Sequence, residues 1–315
     1  MIAFGPVPSR RLGRSLGINN IPPKVCTYSC VYCQVGRTKT MQVERRWFYP
    51  PEEILKDVRK KVERARQFEE PIDYLSFVPD GEPFLDINLG REIESLRSLG
   101  VKIAVITNAS LIWRDDVKEE LAKVDWVSLK VDSTRGDVWH RINRPHRTLS
   151  LSSIMDGMVE FARIFKGKLV TETMLIEGVN DGDDHVRKIA DFLARLRPAR
   201  AYVSIPTRPP AEKWVRPPGE EVINRAYHIL DKSVDHVEYL IGYEGNAFAC
   251  TGNVTEDLLA ITSVHPMREE AVSRFLEKAN DDWTTVRRLI AQGIFMEIEH
   301  EGRKFYMRKI ASKKD

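Results

Sequence analysis

The sequence predicts an α/β chain: a partial (β/α)6 TIM-like barrel followed by a small winged-helix-like C-terminal domain. Short apolar runs alternate with helix-length segments across roughly the first 240 residues, the pattern of a parallel sheet with crossover helices. About six such units fit there, too few for a closed eightfold barrel. After Gly252 the alternation gives way to three helical stretches and two short strands. The domains are therefore drawn at 1–250 and 251–315.

Taken in order, the apolar runs fall at residues 15–18, 72–77, 102–107, 126–130, 169–174, 201–205 and 237–241. The helix-like stretches between most of them are 51–68, 89–98, 114–121, 151–165, 184–196 and 220–231. Pro51 followed by Glu52 and Glu53 suits a first helical turn, where no amide proton is needed and negative charge meets the positive helix end. Parallel strands present a ligand site at their carboxyl ends. In the tail, 254–263, 267–278 and 281–292 read as helices. Residues 294–299 and 304–308 read as a hairpin joined by His300-Glu301-Gly302-Arg303. The third tail helix carries Arg287 beside Arg288, as a nucleic-acid-reading helix does. A protein-docking module has the same outline, and the tail is nearly balanced in charge.

The chain has 315 residues and is 42% hydrophobic, enough for a substantial core. No apolar run approaches the roughly 18–20 residues needed to span a bilayer. The N-terminus lacks the apolar stretch and small-residue cleavage site of a signal peptide. The expectation is a cytoplasmic protein with no membrane association. Four cysteines in so long a chain make no disulfide framework, and a tight group of them favours metal or redox chemistry. Net charge is only +3, yet no acidic residue precedes Glu44, while Arg10, Arg11, Arg14, Lys24, Arg37 and Lys39 are basic. Two readings stand side by side: a solvated basic arm, or a positive field around an anionic site.

Cys26, Cys30 and Cys33 fall within eight residues of one another. Three thiolates are one short of a closed structural metal site. Zinc would need a fourth ligand, but Cys250 is remote in sequence and the nearest histidine is His140. Three cysteines leave one metal position open to a ligand that is not protein. Further polar motifs sit where predicted strands end. They are Asp80-Gly81-Glu82-Pro83, Thr107-Asn108-Ala109 and Ser128-Leu129-Lys130, and Thr171-Glu172-Thr173 interrupts the fifth strand. Strand alternation puts Ser128 and Lys130 on one face. A lysine inside such a sheet is costly to bury unpaired, which points to a bound anion.

This set resembles the radical S-adenosylmethionine (SAM) superfamily, in a branch close to the wyosine base synthases and the organic-radical-activating enzymes. The resemblance covers about residues 1–245 and leaves the tail outside. It implies that Cys26, Cys30 and Cys33 ligate three irons of a 4Fe–4S cluster whose fourth iron takes the cofactor. It implies that Tyr32 lies beside the adenine, and that Gly81, Glu82 and Pro83 form the turn that holds the methionine ammonium. Thr107 and Asn108 fall in the same cofactor site. Ser128 and Lys130 match holders of the ribose and the methionine carboxylate, and Glu172 a ribose contact. Two departures stand out: Asp80 and Ala109 occupy positions where the family has glycine. The opening FGPVPSRRLGRSLGIN, the Ile142-Asn143-Arg144-Pro145 loop and the run from Ser204 to Pro210 resemble that branch in particular. In them, Arg144 and Arg208 can clamp a substrate phosphate or carboxylate. Wyosine base synthases hold a second cluster on three upstream cysteines. No cysteine precedes Cys26 here, and Cys250 reads as a packing residue, so one cluster is expected.

The implied chemistry is reductive cleavage of SAM to a 5′-deoxyadenosyl radical that abstracts hydrogen from a substrate. Such an enzyme is oxygen-sensitive and needs an electron donor such as ferredoxin or flavodoxin. An RNA base is the substrate suggested by the basic arm, the branch and the tail. Modification or activation of a protein or peptide is the alternative, with the tail as docking module. A third reading is a non-catalytic iron–sulfur redox regulator that reads DNA through the tail.

Overall fold

The computed structural model describes residues 2–241, 248–264, 266–300 and 302–309. Glu301 of the predicted tail turn lies outside the described residues. In chain order the first strands are β1 (Ala3–Ser9), β2 (Gly13–Ile18), β3 (Val25–Cys26), β4 (Thr40–Met41) and β5 (Tyr74–Phe77). They continue with β6 (Lys102–Thr107), β7 (Trp126–Lys130), β8 (Lys168–Met174), β9 (Arg200–Ser204) and β10 (Val237–Leu240). The helices of this part are α1 (Pro51–Gln67), α2 (Leu89–Leu96), α3 (Asp115–Leu121) and α4 (Gly136–Asn143). They continue with α5 (Leu151–Ile164), α6 (Asp183–Leu196) and α7 (Glu220–Asp231).

Eight strands form one open sheet in the order β1-β2-β5-β6-β7-β8-β9-β10. From β2 onward every pairing is parallel, and the sheet curls into a half-barrel, as the alternating pattern predicts. Outward-facing residues such as Leu75, Val105, Val127 and Leu169 pack against Ile54, Ile93, Phe161 and Leu193 from the helices. On the inner face, Ala104, Trp126, Val170 and Tyr202 fill one end together with Leu12. The same strands place Lys130, Glu172 and Ser204 farther along, towards their carboxyl ends. Side chains two apart share a face, so the lumen changes from apolar to polar along each strand.

Several elements differ from expectation: the short pair β3 and β4 was not foreseen, Met267 and Arg268 form a strand instead of opening a helix, and β1 and α4 also depart from it. β1 is not among the predicted strands, and it contains Pro6 and Pro8. It pairs antiparallel with β2 at the sheet edge, where proline is tolerated. Ile142 and Asn143 are not in a loop: they form the last turn of α4, which ends at Arg144 in the left-handed region (φ 45°). Pro145 then forbids continuation.

The tail contains α8 (Val254–Val264), β11 (Met267–Arg268), α9 (Glu269–Lys278), α10 (Trp283–Ala291), β12 (Phe295–His300) and β13 (Arg303–Arg308). Its strands pair in the order β11-β13-β12, all antiparallel. Thr285, Val286 and Leu289 turn α10 inward, while Arg287 and Arg288 are exposed. The tail core of Leu258, Ile261, Phe275 and Phe295 is continuous with Phe4 and Val7 of β1, and Val78 packs against it. Phe4 fits because Gly17 opposite has no side chain; a Cβ there would sit 2.0 Å from the ring. The buried Lys61 of α1 faces Asp257 and Glu256 of α8 at 3.6 and 3.7 Å. No helix among the described residues is long and apolar enough to cross a membrane.

Candidate metal and cofactor site

A cavity of about 300 Å³ opens at the carboxyl ends of the strands. Cys26, Cys30 and Cys33 line it, together with Tyr32, Gly81, Thr107, Asn108, Lys130, Glu172 and Arg208. Residues from six separate motifs therefore meet in one space. Glu82, Pro83, Ser128 and Arg144 do not line it.

The cysteine loop is held from two sides. Cys26 lies in β3, which pairs with β4. The Ser29 and Val31 amides donate to the carbonyls of Asn143 and Ile142 at 3.0 and 2.9 Å, tying the loop to the end of α4. The Cys33 amide donates to the Cys30 carbonyl at 3.1 Å, closing a turn between those two residues. Two asparagines approach the sulfurs: Asn108 Nδ2 lies 3.6 Å from Cys26 Sγ, and Asn143 Nδ2 lies 3.5 Å from Cys30 Sγ. Amide donors aimed at sulfur stabilise thiolates and tune a bound cluster. Burial, then the neighbouring Cys30 and Glu82, push the Cys26 thiol well above its ordinary range. Burial pushes Cys30 up to about 12 against the Asn143 bond, and raises Cys33 against the charge of Lys24.

Tyr32 stands beside Lys130, whose ammonium lies 5.2 Å from the ring centroid. The Tyr32 hydroxyl donates to Asp132, which also accepts from Asn143 Nδ2 at 2.8 Å and from the Met174 amide at 2.9 Å. Glu82 works inside the protein. Thr107 Oγ1 donates to it at 2.7 Å, and the Asn108 and Phe84 amides at 2.9 and 3.2 Å, which joins the Gly-Glu-Pro turn to the end of β6. Burial pushes its carboxyl up to about 7 against these bonds. The Ser128 hydroxyl is buried with no hydrogen-bond partner.

Lys130 and Glu172 are register partners in β7 and β8, and Lys130 Nζ donates to Glu172 Oε1 at 2.7 Å. Arg11 reaches over from the N-terminal hairpin to the other oxygen, and Ser204 Oγ adds a bond at 3.1 Å. Burial opposes the charge on Glu172, but Lys130 and Arg11 overcome it and bring the carboxyl to about 2. Two cations against one carboxylate leave one positive charge in excess, a place for an anionic ligand group. Glu172 should therefore stabilise the fold above its unreacted value of 4.5 and lose that contribution as pH falls towards 2. Glu172→Ala leaves two cations without their anion and is expected to cost roughly 3–5 kcal/mol. The urea midpoint reads this, and an additional Lys130→Met should recover part of it. An unchanged midpoint rejects the pairing as a stabilising element.

The basic arm is not free in solution. Besides Arg11, Arg10 donates to the Tyr239 carbonyl, Arg14 pairs with Glu70, and Lys24 Nζ donates to the Gly36 carbonyl at 2.8 Å. Arg37 and Arg144 both hold Glu212, so Arg144 is committed to that carboxylate. Arg208 lies on the cavity wall, with Nη1 2.7 Å from Gln34 Oε1. Sequence reasoning assigned no site role to Asp132, Asn143 or Ser204 individually. Asp132 had a signal, since it follows Lys130 at a strand end, and Asn143 and Ser204 lie in runs singled out in the sequence, but the partners they bond depend on tertiary placement.

An α/β half-barrel whose strand-end cavity is lined by three cysteines, Tyr32 and the Lys130–Glu172 pair presents a candidate cofactor site. The family model for the radical SAM superfamily matches residues 20–193. The chain belongs to the radical SAM superfamily and is an enzyme of that type. Membership implies an iron–sulfur cluster and the use of SAM. The chain is 48% identical to the UPF0026 protein MJ1312 of Methanocaldococcus jannaschii, over 99% of this chain and 97% of that one. It is 25% identical to a probable dual-specificity RNA methyltransferase RlmN of Picosynechococcus, over 71% of this chain and 64% of that one. Among solved structures, a radical SAM methyltransferase from Sphaerobacter thermophilus matches with a TM-score of 0.51 and 18% identity. That match covers 71% of this chain and 66% of the other and supports the fold.

Proposed function

We propose that this enzyme holds a single 4Fe–4S cluster on Cys26, Cys30 and Cys33, binds SAM beside it, and acts on an RNA base. The observation that carries the reading is the meeting of the three cysteines with Gly81, Thr107, Asn108, Lys130 and Glu172 in one cavity. The donor set fits the cluster: three thiols, two of them approached by amide donors. When bound, cluster and cofactor together supply one-electron cleavage of a carbon–sulfur bond and a 5′-deoxyadenosyl radical for hydrogen abstraction. The protein supplies position and dryness. Tyr32 offers an aromatic face, the excess positive charge at Lys130 and Arg11 suits the methionine carboxylate, and the apolar end of the lumen excludes water.

The substrate class is supported by the RNA methyltransferase relative and by the exposed Arg287 and Arg288 on α10. We read residues 251–315 as a winged-helix-like domain that presents this face to RNA.

The test is reductive cleavage. Protein reconstituted with iron and sulfide, reduced without oxygen and given SAM, should release 5′-deoxyadenosine; none at all sinks the cofactor reading. RNA binding by the full chain should fall steeply with salt, and Arg287→Ala with Arg288→Ala should flatten that slope. A variant with the wild-type slope would turn the substrate reading towards protein.

A further inference from the structure

The turn after β5 contains two acids, and the fold treats them differently. Glu82 is spent on Thr107 and two backbone amides and lies off the cavity. Asp80 lines the cavity beside the cysteines, is only 5% exposed, and has its Oδ1 buried without a hydrogen-bond partner. Its backbone is fixed: the Asp80 amide donates to Asn19 Oδ1 at 3.2 Å, and its carbonyl accepts from the Lys24 amide at 2.9 Å. Lys24 lines the same cavity, but its ammonium is directed to the Gly36 carbonyl instead.

A buried carboxylate oxygen without a donor is costly unless something cationic completes it. We propose that Asp80, rather than Glu82, receives the α-ammonium of bound SAM. The assignment rests on the cofactor reading above. Glycine at this position offers a ligand only backbone; aspartate adds a charge-assisted hydrogen bond. The same cavity carries surplus positive charge at Lys130 and Arg11, so its two signs match a zwitterionic amino-acid head. Burial pushes the Asp80 carboxyl up to about 7 against the charges of Lys24 and Arg308, and a cation bound beside it would draw it to the ionised form.

The experiment measures binding to cluster-reconstituted protein by equilibrium dialysis. The two probes are SAM and its desamino analogue, in which hydrogen replaces the ammonium. The wild type should prefer SAM by about tenfold or more. Asp80→Asn should lose most of that preference while keeping its iron content and its affinity for the analogue. Glu82→Gln should keep the preference. A wild-type ratio near one, an Asp80→Asn ratio equal to the wild type, or loss of the preference in Glu82→Gln overturns the assignment and leaves the cofactor reading standing. A wild type that binds neither compound overturns both. If Asp80→Asn fails to take up the cluster, the wild-type ratio and Asp80→Glu decide, the latter being expected to retain part of the preference.

Discussion

A Cys30→Ala variant is expected to lose its iron and its cleavage of SAM to background while keeping its fold. Cys30 is only partly buried and packs at the margin of the barrel core. Its replacement removes one sulfur contact from Asn143, worth about 1 kcal/mol, from a domain whose helices and strands bury many apolar side chains elsewhere. The cluster has no such reserve, because three thiolates are already one short of a full set. Iron and sulfide content, visible absorbance and release of 5′-deoxyadenosine measure the loss, and circular dichroism with a urea midpoint measures the fold. Cys250→Ala is the control. Its side chain packs against the tail core, away from the cavity, so iron content and cleavage should persist. Full iron content in Cys30→Ala would falsify the ligand assignment.

The cavity-lining residues stood out in the sequence because they fall in short contiguous polar motifs within, at or just beyond strands. Local alternation sends the last polar residues of parallel strands to the same rim, and Lys130 and Glu172 were both visible in that way. Their pairing was not, since it follows from the register of β7 against β8. Arg11 was visible only as one charge in a basic arm. It reaches Glu172 because β1 and β2 fold the arm over the open lumen, across 161 residues of sequence. Arg10, Arg14, Lys24 and Arg37 are engaged in the same manner by Tyr239, Glu70, Gly36 and Glu212.

The hardest parts to read were those where one residue type has two uses. Prolines in β1 mark either a loop or an edge strand, and only the neighbouring β2 decides. Glu82 reads from the motif as a ligand contact, yet its carboxylate ties the turn to Thr107 and Asn108. Arg144 reads as an anion clamp, and the anion it holds is Glu212 from the same chain. A motif names the residue type; which partner lies closest is a property of the packed fold. The tail follows the same logic. Its three helices and hairpin were visible from periodicity, but the shared core with Phe4, Val7 and Val78 was not, because those residues lie far away in the chain.

Gly81→Ala should be among the most damaging single changes in the chain. An added Cβ would lie 1.8 Å from the Val25 carbonyl oxygen, 2.8 Å from its carbon and 2.9 Å from Ile21 Cδ1. The first two are backbone atoms, so no rotamer change relieves the clash, and the chain must move. Val25 immediately precedes Cys26 and belongs to β3, so the movement passes directly into the cysteine loop. The Glu82 amide also donates to that same Val25 carbonyl at 3.3 Å, and this bond is lost when the strands part. Overpacking of this kind costs about 1–3 kcal/mol or more. The expected result is a lowered urea midpoint together with reduced iron uptake and loss of SAM binding. Gly136→Ala separates this from a general glycine effect: nothing lies within 4 Å of its added Cβ, and it sits in the first turn of α4. That variant should match or slightly exceed the wild type in stability, since alanine is the better helix former. A Gly81→Ala protein with normal iron content and normal affinity for SAM would show that the Gly-Glu-Pro turn and the cysteine loop move independently, and the close packing of the two would then carry no functional weight.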